Sequence, residues 1–519
     1  MKDFSTRTAV LVSSISIPLL WLAMPGNGEF WPLLVVACVP FLFSVSRGSM
    51  KQAALCGLLM GTGHFVVQLY WIVFVLGQYG GLPLFASVPA LVLLSLYMAG
   101  YLLIFGLLAR RFIHSFSPFL CLWIIPCAWV GLDWLRSFLF SGFPWMDLGY
   151  GLANIPLLFQ SADVWGHYGI TFLILQINTF FTLLLINNND KKTVAQLAVP
   201  VSLVLLVTLS YSSWRWQQVA DTLKHTESIT IAVVQGNVDQ GQKWNPERQE
   251  STVNDYVAQS RKLMRNKLQP ELLVWPETSL PFYPVNHPLL FPIYSLLREE
   301  NVMLLTGAPW FERENPQSEE IQFYNSSLLF NERGDIIART SKSHLVPFGE
   351  YVPLKRFLPF IAPLVQSVGN FSRGEVKDPP ACKKARIGVL ICFESIFGEI
   401  SRKWVDAGAN LLVNITNDAW YGKSSAPHQT LAMTRLRAVE TRRSIVRSAN
   451  TGFSGFIDPL GRVEQVSPLF VSWEATRQMP IMEERTFFVQ SGYLFAPLCF
   501  MLTFLCGIVA VRKQRRIKY

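Results

Sequence analysis

The sequence predicts a polytopic α-helical membrane protein that carries one large α/β domain outside the bilayer. Three observations lead there. Of 519 residues, 51% are hydrophobic and 15% charged, with a mean hydropathy of +0.30, which leaves too little polar surface to cover a water-soluble protein of this size. Charge is also unevenly spread: residues 1–212 hold 15 Lys, Arg, Asp and Glu, residues 213–490 hold 60, and residues 491–519 hold five, all basic. Short β-branched runs alternating with amphipathic helical patterns are confined to the charge-rich part. Disordered, collagen-like and coiled-coil chains are excluded by the same composition. The net charge of +10 divides as +3, +2 and +5 over the three segments, so no basic face forms and no nucleic-acid partner is expected.

Taking the elements in order, apolar runs long enough, or nearly so, to cross about 30 Å of hydrocarbon fall at 8–23, 31–45, 53–75, 85–109, 118–135, 171–186 and 197–210, and an eighth at 491–511. The first lacks a small-x-small cleavage site and is expected to be retained. Lys2 and Arg7, Arg47 and Lys51, Arg110 and Arg111, Lys191 and Lys192, and the tail Arg512, Lys513, Arg515, Arg516 and Lys518 all fall on one side if eight spans alternate. By the positive-inside rule both termini are then cytoplasmic. Arg136 stands against this trend. The nearly uncharged segment 136–168, with Phe143, Pro144, Trp145 and Met146, suits either a re-entrant stretch or an ordinary outer loop. The division expected is a seven-span domain at 1–212, an outer domain at 213–490 and a last span with a basic tail at 491–519.

Within the outer domain, strands are expected at 229–234, 272–275, 303–306, 327–331, 336–340, 387–391, 411–416, 446–449 and 455–457, and helices at 247–267 and 427–443. A hairpin turned by Asn331-Glu332-Arg333-Gly334-Asp335 sits among them. Strands alternating with helices argue for layered sheets covered by helices. Six cysteines lie in apolar spans as packing residues. Cys382 and Cys392 flank a charged turn and a buried strand, which would hold them too far apart for a disulfide.

Three strand ends carry reactive groups. Val274-Trp275-Pro276-Glu277-Thr278 places a carboxylate beyond a buried strand; Lys342-Ser343-His344 follows another strand, with Glu350 in the next turn; Gly388-Val389-Leu390-Ile391-Cys392-Phe393-Glu394 ends in a thiol. An ammonium beside a thiol is expected to shift it towards thiolate, and a nearby carboxylate can take its proton. No Cys or His pair at ligand spacing accompanies His344 or His428, so neither a metal nor another cofactor is expected.

The order Glu277, Lys342, Cys392, each at a strand exit, together with Asn414-Ile415-Thr416-Asn417-Asp418-Ala419-Trp420-Tyr421, resembles the carbon–nitrogen hydrolase (nitrilase) superfamily over about residues 228–475. The resemblance implies an αββα sandwich. With the flanking spans, Val234-Gln235-Gly236-Asn237 and Trp244, and the run His344-Leu345-Val346-Pro347-Phe348-Gly349-Glu350-Tyr351-Val352-Pro353, the whole chain resembles the apolipoprotein N-acyltransferase family. What this implies is a bacterial inner-membrane enzyme with a periplasmic catalytic domain. Its acyl donor would be a membrane phospholipid and its acceptor a diacylglyceryl apolipoprotein, with Cys392 as nucleophile and Glu277 as acid and base. Lys342 and the Phe393 N–H would face the oxyanion, Glu350 would orient Lys342 or hold the amine, and Glu394 would fix the loop after the nucleophile. Trp244, Trp420 and Tyr421 would support the substrate. Where the family often has Tyr after the nucleophile this chain has Phe393, so only an aromatic packing role carries over.

Two apolar segments, 357–365 and Leu280-Pro281-Phe282-Tyr283, are expected either to dip into the outer leaflet and admit acyl chains or to pack as core. Two rival readings stay open. One is a membrane-tethered amidase, in which water accepts the acyl group. The other is a transporter, against which the spans offer few ionisable groups, chiefly His64 and Asp133.

Overall fold

Helix length and apolarity dominate the first part of the chain. The computed structural model describes residues 4–187, 191–265, 267–313, 320–351 and 371–518. Among these, six helices are long and apolar enough to cross a membrane: Thr6–Ala23, Leu84–Ser115, Pro118–Arg136, Ala162–Ile186, Lys191–Leu223 and Phe495–Lys513. Met50–Gln68 and Trp71–Tyr79 make a seventh only if the pair, bent by 55°, is one span, and Trp31–Arg47 is a shorter apolar helix. Of the eight expected spans, six are thus single long apolar helices, while the second and third runs take these shorter and bent forms. The second run divides into a 3₁₀ turn, Trp31–Val35, and a short helix, Val39–Arg47, with Pro32 and Pro40 in their first turns, and the third run bends after Gln68.

Local chemistry explains the helix ends. Ser49 begins Met50–Gln68 as one half of a capping box: its Oγ accepts from the Gln52 N–H, and the Gln52 side chain accepts from the Ser49 N–H. Further along this helix small residues allow close packing. A Cβ on Gly57 would lie 2.3 Å from the Leu102 carbonyl oxygen, and one on Gly106 would lie 2.7 Å from that of Ala53, so the helices Met50–Gln68 and Leu84–Ser115 meet backbone to backbone.

Between the helices Pro118–Arg136 and Ala162–Ile186 the chain is largely non-helical. It folds as 3₁₀ turns at Leu139–Ser141, Leu148–Leu152 and Pro156–Phe159, with Trp145 and Tyr150 fully buried. Arg136 explains itself here. Its guanidinium is buried, donates to Asp133 Oδ1 at 3.0 Å and pairs with Asp147, whose other oxygen lies 3.0 Å from His167 Nε2. This arginine answers internal carboxylates, which removes it from the topological argument.

Contacts divide the chain into two units, one made of Met1–Val73, Pro83–Trp216 and Ser491–Tyr519, the other of Phe74–Leu82 and Gln217–Gln490. The second unit has two six-stranded sheets. Its strands are β1 (Ser228–Gln235), β2 (Leu272–Val274), β3 (Met303–Arg313), β4 (Ile321–Phe330), β5 (Ile336–Ser341), β6 (Ala381–Cys382), β7 (Ala385–Ile391), β8 (Leu411–Thr416), β9 (Ile445–Ala449), β10 (Gly455–Ile457), β11 (Val463–Val466) and β12 (Trp473–Pro480). One sheet runs β12-β1-β2-β3-β4-β5 and the other β11-β10-β9-β8-β7-β6. The centre of each is parallel, β1 to β3 and β7 to β9.

Alternation along the strands builds the layers. Ile229, Ile231 and Val233 join Ile387, Val389, Ile391 and Val413 in a core shared by the two sheets, while Ala232 and Val234 face Val253, Tyr256, Ile293 and Leu297 of the helices Pro246–Met264 and Phe291–Glu300. Helices Gly398–Asp406 and Ala426–Thr441 follow β7 and β8. This is the αββα arrangement. Parallel strands joined by helices bring their carboxyl ends to one edge of each sheet, where sites in such folds collect. All eight cysteines are free, Cys382 and Cys392 included. Leu280 and Phe282 belong to the helix-facing core and Tyr283 alone of that segment is exposed, so a lipid-dipping role for them is corrected to packing. The segment 357–365 lies outside the described residues.

Candidate active site

At the end of β7 the chain turns directly into the 3₁₀ turn Cys392–Ile396. Cys392 has φ 54°, a left-handed conformation that strains a residue with a Cβ by about 1–3 kcal/mol and persists only when its surroundings impose it. Its carbonyl accepts from Ser395 Oγ at 3.2 Å and from Asn414 Nδ2 at 3.4 Å. Asn414 in turn accepts from the fully buried Arg447, which also donates to Asp418 Oδ2 at 2.8 Å. Glu394 completes the clamp. Its buried carboxylate accepts from the Ile391 N–H (2.8 Å), the Ser343 N–H and Oγ (both 2.6 Å) and the His344 N–H (3.0 Å). Burial pushes its pKa up and the bonds from Ile391 and Ser343 pull it down. One carboxylate thereby ties the turn after β7 to the exit of β5.

That exit carries Lys342, 2% exposed, whose Nζ lies 2.9 Å from both oxygens of Glu350. Burial pulls its pKa down, but the charges of Glu350, Cys392 and Glu277 outweigh this and the net direction is up. Glu350 also accepts from Asn325 Nδ2 at 3.0 Å and from the Val346 N–H at 2.9 Å. Asn325, on β4, spends the same amide on Glu277 Oε1 at 2.8 Å. Glu277 follows β2, behind Trp275, which is fully buried against Tyr256 and anchored to Ser260 Oγ at 3.0 Å. Its Oε1 is satisfied, and its buried Oε2 has no hydrogen bond among the described residues.

The thiol itself corrects an expectation. Burial, and then the charge of Glu277, push Cys392 up to about 12, and Lys342 and the hydrogen bond with Thr416 only partly oppose them. At neutral pH the resting group is a thiol beside a carboxylate, and the ammonium does not by itself produce a thiolate.

The remaining sequence candidates sit as follows. Phe393 is buried, edge-on to Phe397 at 5.2 Å and near the His344 ring. Tyr421 is electrostatically coupled to Cys392, and burial, then Cys392, Asp418 and Glu277, push its phenol up. Trp420 packs edge-on against Tyr79 at 5.0 Å, and Trp244 is half exposed. Two residues of the site escaped the sequence reading. Asn325 lies in the middle of β4, where the polar run Asn325-Ser326-Ser327 interrupts the apolar pattern. Lys243 is 2% exposed and donates to the Glu277 carbonyl at 3.1 Å; its only signal was its place beside Trp244.

A half-buried thiol, at the carboxyl end of a parallel strand in an αββα sandwich, with a carboxylate and ammonium groups around it, defines a carbon–nitrogen hydrolase domain. The family model described as carbon-nitrogen hydrolase matches residues 230–469, and the one described as apolipoprotein N-acyltransferase N-terminal domain matches residues 18–180. An apolipoprotein N-acyltransferase of Geobacter metallireducens is 38% identical over 520 residues, covering 99% of this chain and 98% of that protein. Another, of Methylococcus capsulatus, is 32% identical over 491 residues, covering 93% of each. The crystal structure of Saccharomyces cerevisiae Nit3, a member of branch 10 of the nitrilase superfamily, is 18% identical with a TM-score of 0.38, covering 49% of this chain and 90% of that one. The chain belongs to the apolipoprotein N-acyltransferase family.

Proposed function

We propose that the protein transfers a fatty acyl group from a membrane phospholipid, through a thioester on Cys392, to the α-amine of an N-terminal diacylglyceryl-cysteine of an apolipoprotein. Glu277 takes the thiol proton as Cys392 Sγ attacks the ester carbonyl. Lys342, with the Phe393 N–H, stabilises the tetrahedral oxyanion. The ester C–O bond then breaks, Glu277 returns its proton to the departing glycerol oxygen, and a lysophospholipid leaves. In the second half the acceptor amine attacks the thioester and gives its proton to Glu277; the C–S bond breaks and the thiol is restored. Glu350 holds Lys342 in place, Glu394 holds the nucleophile turn, and Trp244, Trp420 and Tyr421 border the substrate.

One observation supports this reading above the others: Glu277 Oε2, buried and without a hydrogen bond among the described residues, is electrostatically coupled to a thiol that stays protonated at rest. A carboxylate in that condition is a proton acceptor waiting for a donor. We place residues 213–490 in the periplasm and both termini in the cytoplasm of a bacterial inner membrane, with eight crossings in which Trp31–Arg47 and the bent pair each count once. The test is mass spectrometry of the purified protein mixed with phospholipid alone. An acyl adduct on Cys392 that hydroxylamine removes is expected; its absence would defeat the proposal. Adding a diacylglyceryl peptide should yield N-acylated peptide, and free fatty acid as the product would favour the amidase instead.

A further inference from the structure

Two buried lysines stand near the nucleophile, and their partners differ. The ammonium of Lys342 is already committed, bonded to Glu350 through both carboxylate oxygens. Lys243 is equally buried, yet its one hydrogen bond among the described residues goes to a neutral acceptor, the backbone carbonyl of Glu277 at 3.1 Å.

The loop that carries Lys243 is held firmly. After β1, the Asn237 N–H donates to the Asn450 carbonyl at 2.9 Å, the Val238 N–H donates to Asn450 Oδ1 at 2.9 Å, and Asn450 Nδ2 donates back to the Val238 carbonyl at 2.8 Å. Gln240 Oε1 accepts from Asn417 beyond β8 at 2.5 Å. Lys243 is therefore fixed against the exits of three strands, and a buried cation without a bonded carboxylate is costly unless nearby negative charge needs it.

We propose that Lys243 is a positioning residue with a charge role: it fixes the main chain of Glu277 and supplies the positive charge that compensates the site when Cys392 ionises. The groups that face Cys392 are Glu277, Lys342, Asp418 and Tyr421, with Glu350 behind Lys342. Because Glu350 draws on the charge of Lys342, Lys243 supplies a second positive charge that, with Lys342, balances Glu277 at rest and the thiolate after proton transfer. Burial pulls Lys243 down to about 8, with Glu277 and Cys392 opposing, so it is mainly an ammonium at neutral pH. This inference rests on the proposed thioester chemistry.

The test is alkylation of Cys392 by iodoacetamide across pH, read on the Cys392 peptide by mass spectrometry in the full-length protein. Lys243→Met removes both charge and bond, whereas Lys243→Gln keeps a donor for the Glu277 carbonyl without the charge. Both should slow alkylation at pH 7.5 by about tenfold, equivalent to raising the thiol's titration by about one pH unit. A merely structural lysine would leave the Lys243→Gln curve on that of the unsubstituted protein, and this result would overturn the proposal. A second readout needs no variant: Cys392 acylation by phospholipid in the unsubstituted protein should fall as pH rises through about 8, and a flat rate up to about pH 9.5 would also overturn it. Failure of the unsubstituted protein to form any acyl adduct would instead defeat the thioester reading.

Discussion

Cys392 and Glu277 make opposite demands on one another, and substitutions separate them. Cys392→Ser should abolish the acyl adduct, because an alkoxide is far harder to form than a thiolate with the same base; retained turnover would remove Cys392 as nucleophile. Glu277→Gln should act in two directions. The charge of Glu277 pushes the thiol up, so its removal lowers the thiol's pKa and raises alkylation at pH 8, about tenfold if the titration falls by one pH unit. Acylation by phospholipid should nevertheless fall by roughly 10²–10⁴, since the base is gone. Unchanged alkylation in this variant would show that the charge of Glu277 does not act on the thiol, and slower alkylation would reverse the sign proposed here. Glu277, Lys342 and Cys392 were legible because each ends an apolar strand. Lys243 and Asn325 were not, because a lysine in a polar loop and an asparagine in the polar middle of a strand look like solvent-facing residues until the chain folds over them.

At the scale of elements, buried charge and tight backbone contacts decide what each segment tolerates. Arg136 answers Asp133 and Asp147 in the helical unit, so Arg136→Met should leave two buried carboxylates without their cation, Asp147 keeping only His167, and cost about 3–5 kcal/mol. Thermal unfolding in detergent measures it, and an unchanged midpoint would count against the ion-pair account. Gly422 has φ 59°, and a Cβ there would lie 2.6 Å from the Phe74 ring. Gly422→Ala should therefore loosen the Asp418–Tyr421 turn from residues 74–82, where Tyr79 also donates to the Ala419 carbonyl at 3.1 Å, and lower both stability and acylation. Strands β1, β2, β7, β8 and β9 were readable from β-branched runs. β12 was not: its alternating Ala475 and Met479 face the core while Glu474 and Gln478 do not, and so polar a strand at a sheet edge carries little signal.

For the whole molecule, the contrast in charge density separates an apolar helical part from a charged α/β part, whereas the crossings are less legible, because a 3₁₀ turn at Trp31–Val35 and a bend after Gln68 interrupt two apolar runs. The proposed orientation is checked by a membrane-impermeant thiol reagent on spheroplasts. A cysteine introduced at Asn315 should be labelled and one at Lys518 should not, in a background where the native thiols are accounted for. The reverse pattern would put the acyl donor and the acceptor on the wrong side.

The inclusion of Phe74–Leu82 in the catalytic unit bears on the order in which the protein is made. Those residues leave the ribosome before the whole stretch Pro83–Trp216, and at about 5–20 residues per second the rest of their unit follows on the order of ten seconds later. The contacts of Phe74 with Gly422 and of Tyr79 with Ala419 wait longer still, some tens of seconds at the same rate, so the catalytic unit finishes late in synthesis, long after its first segment is made.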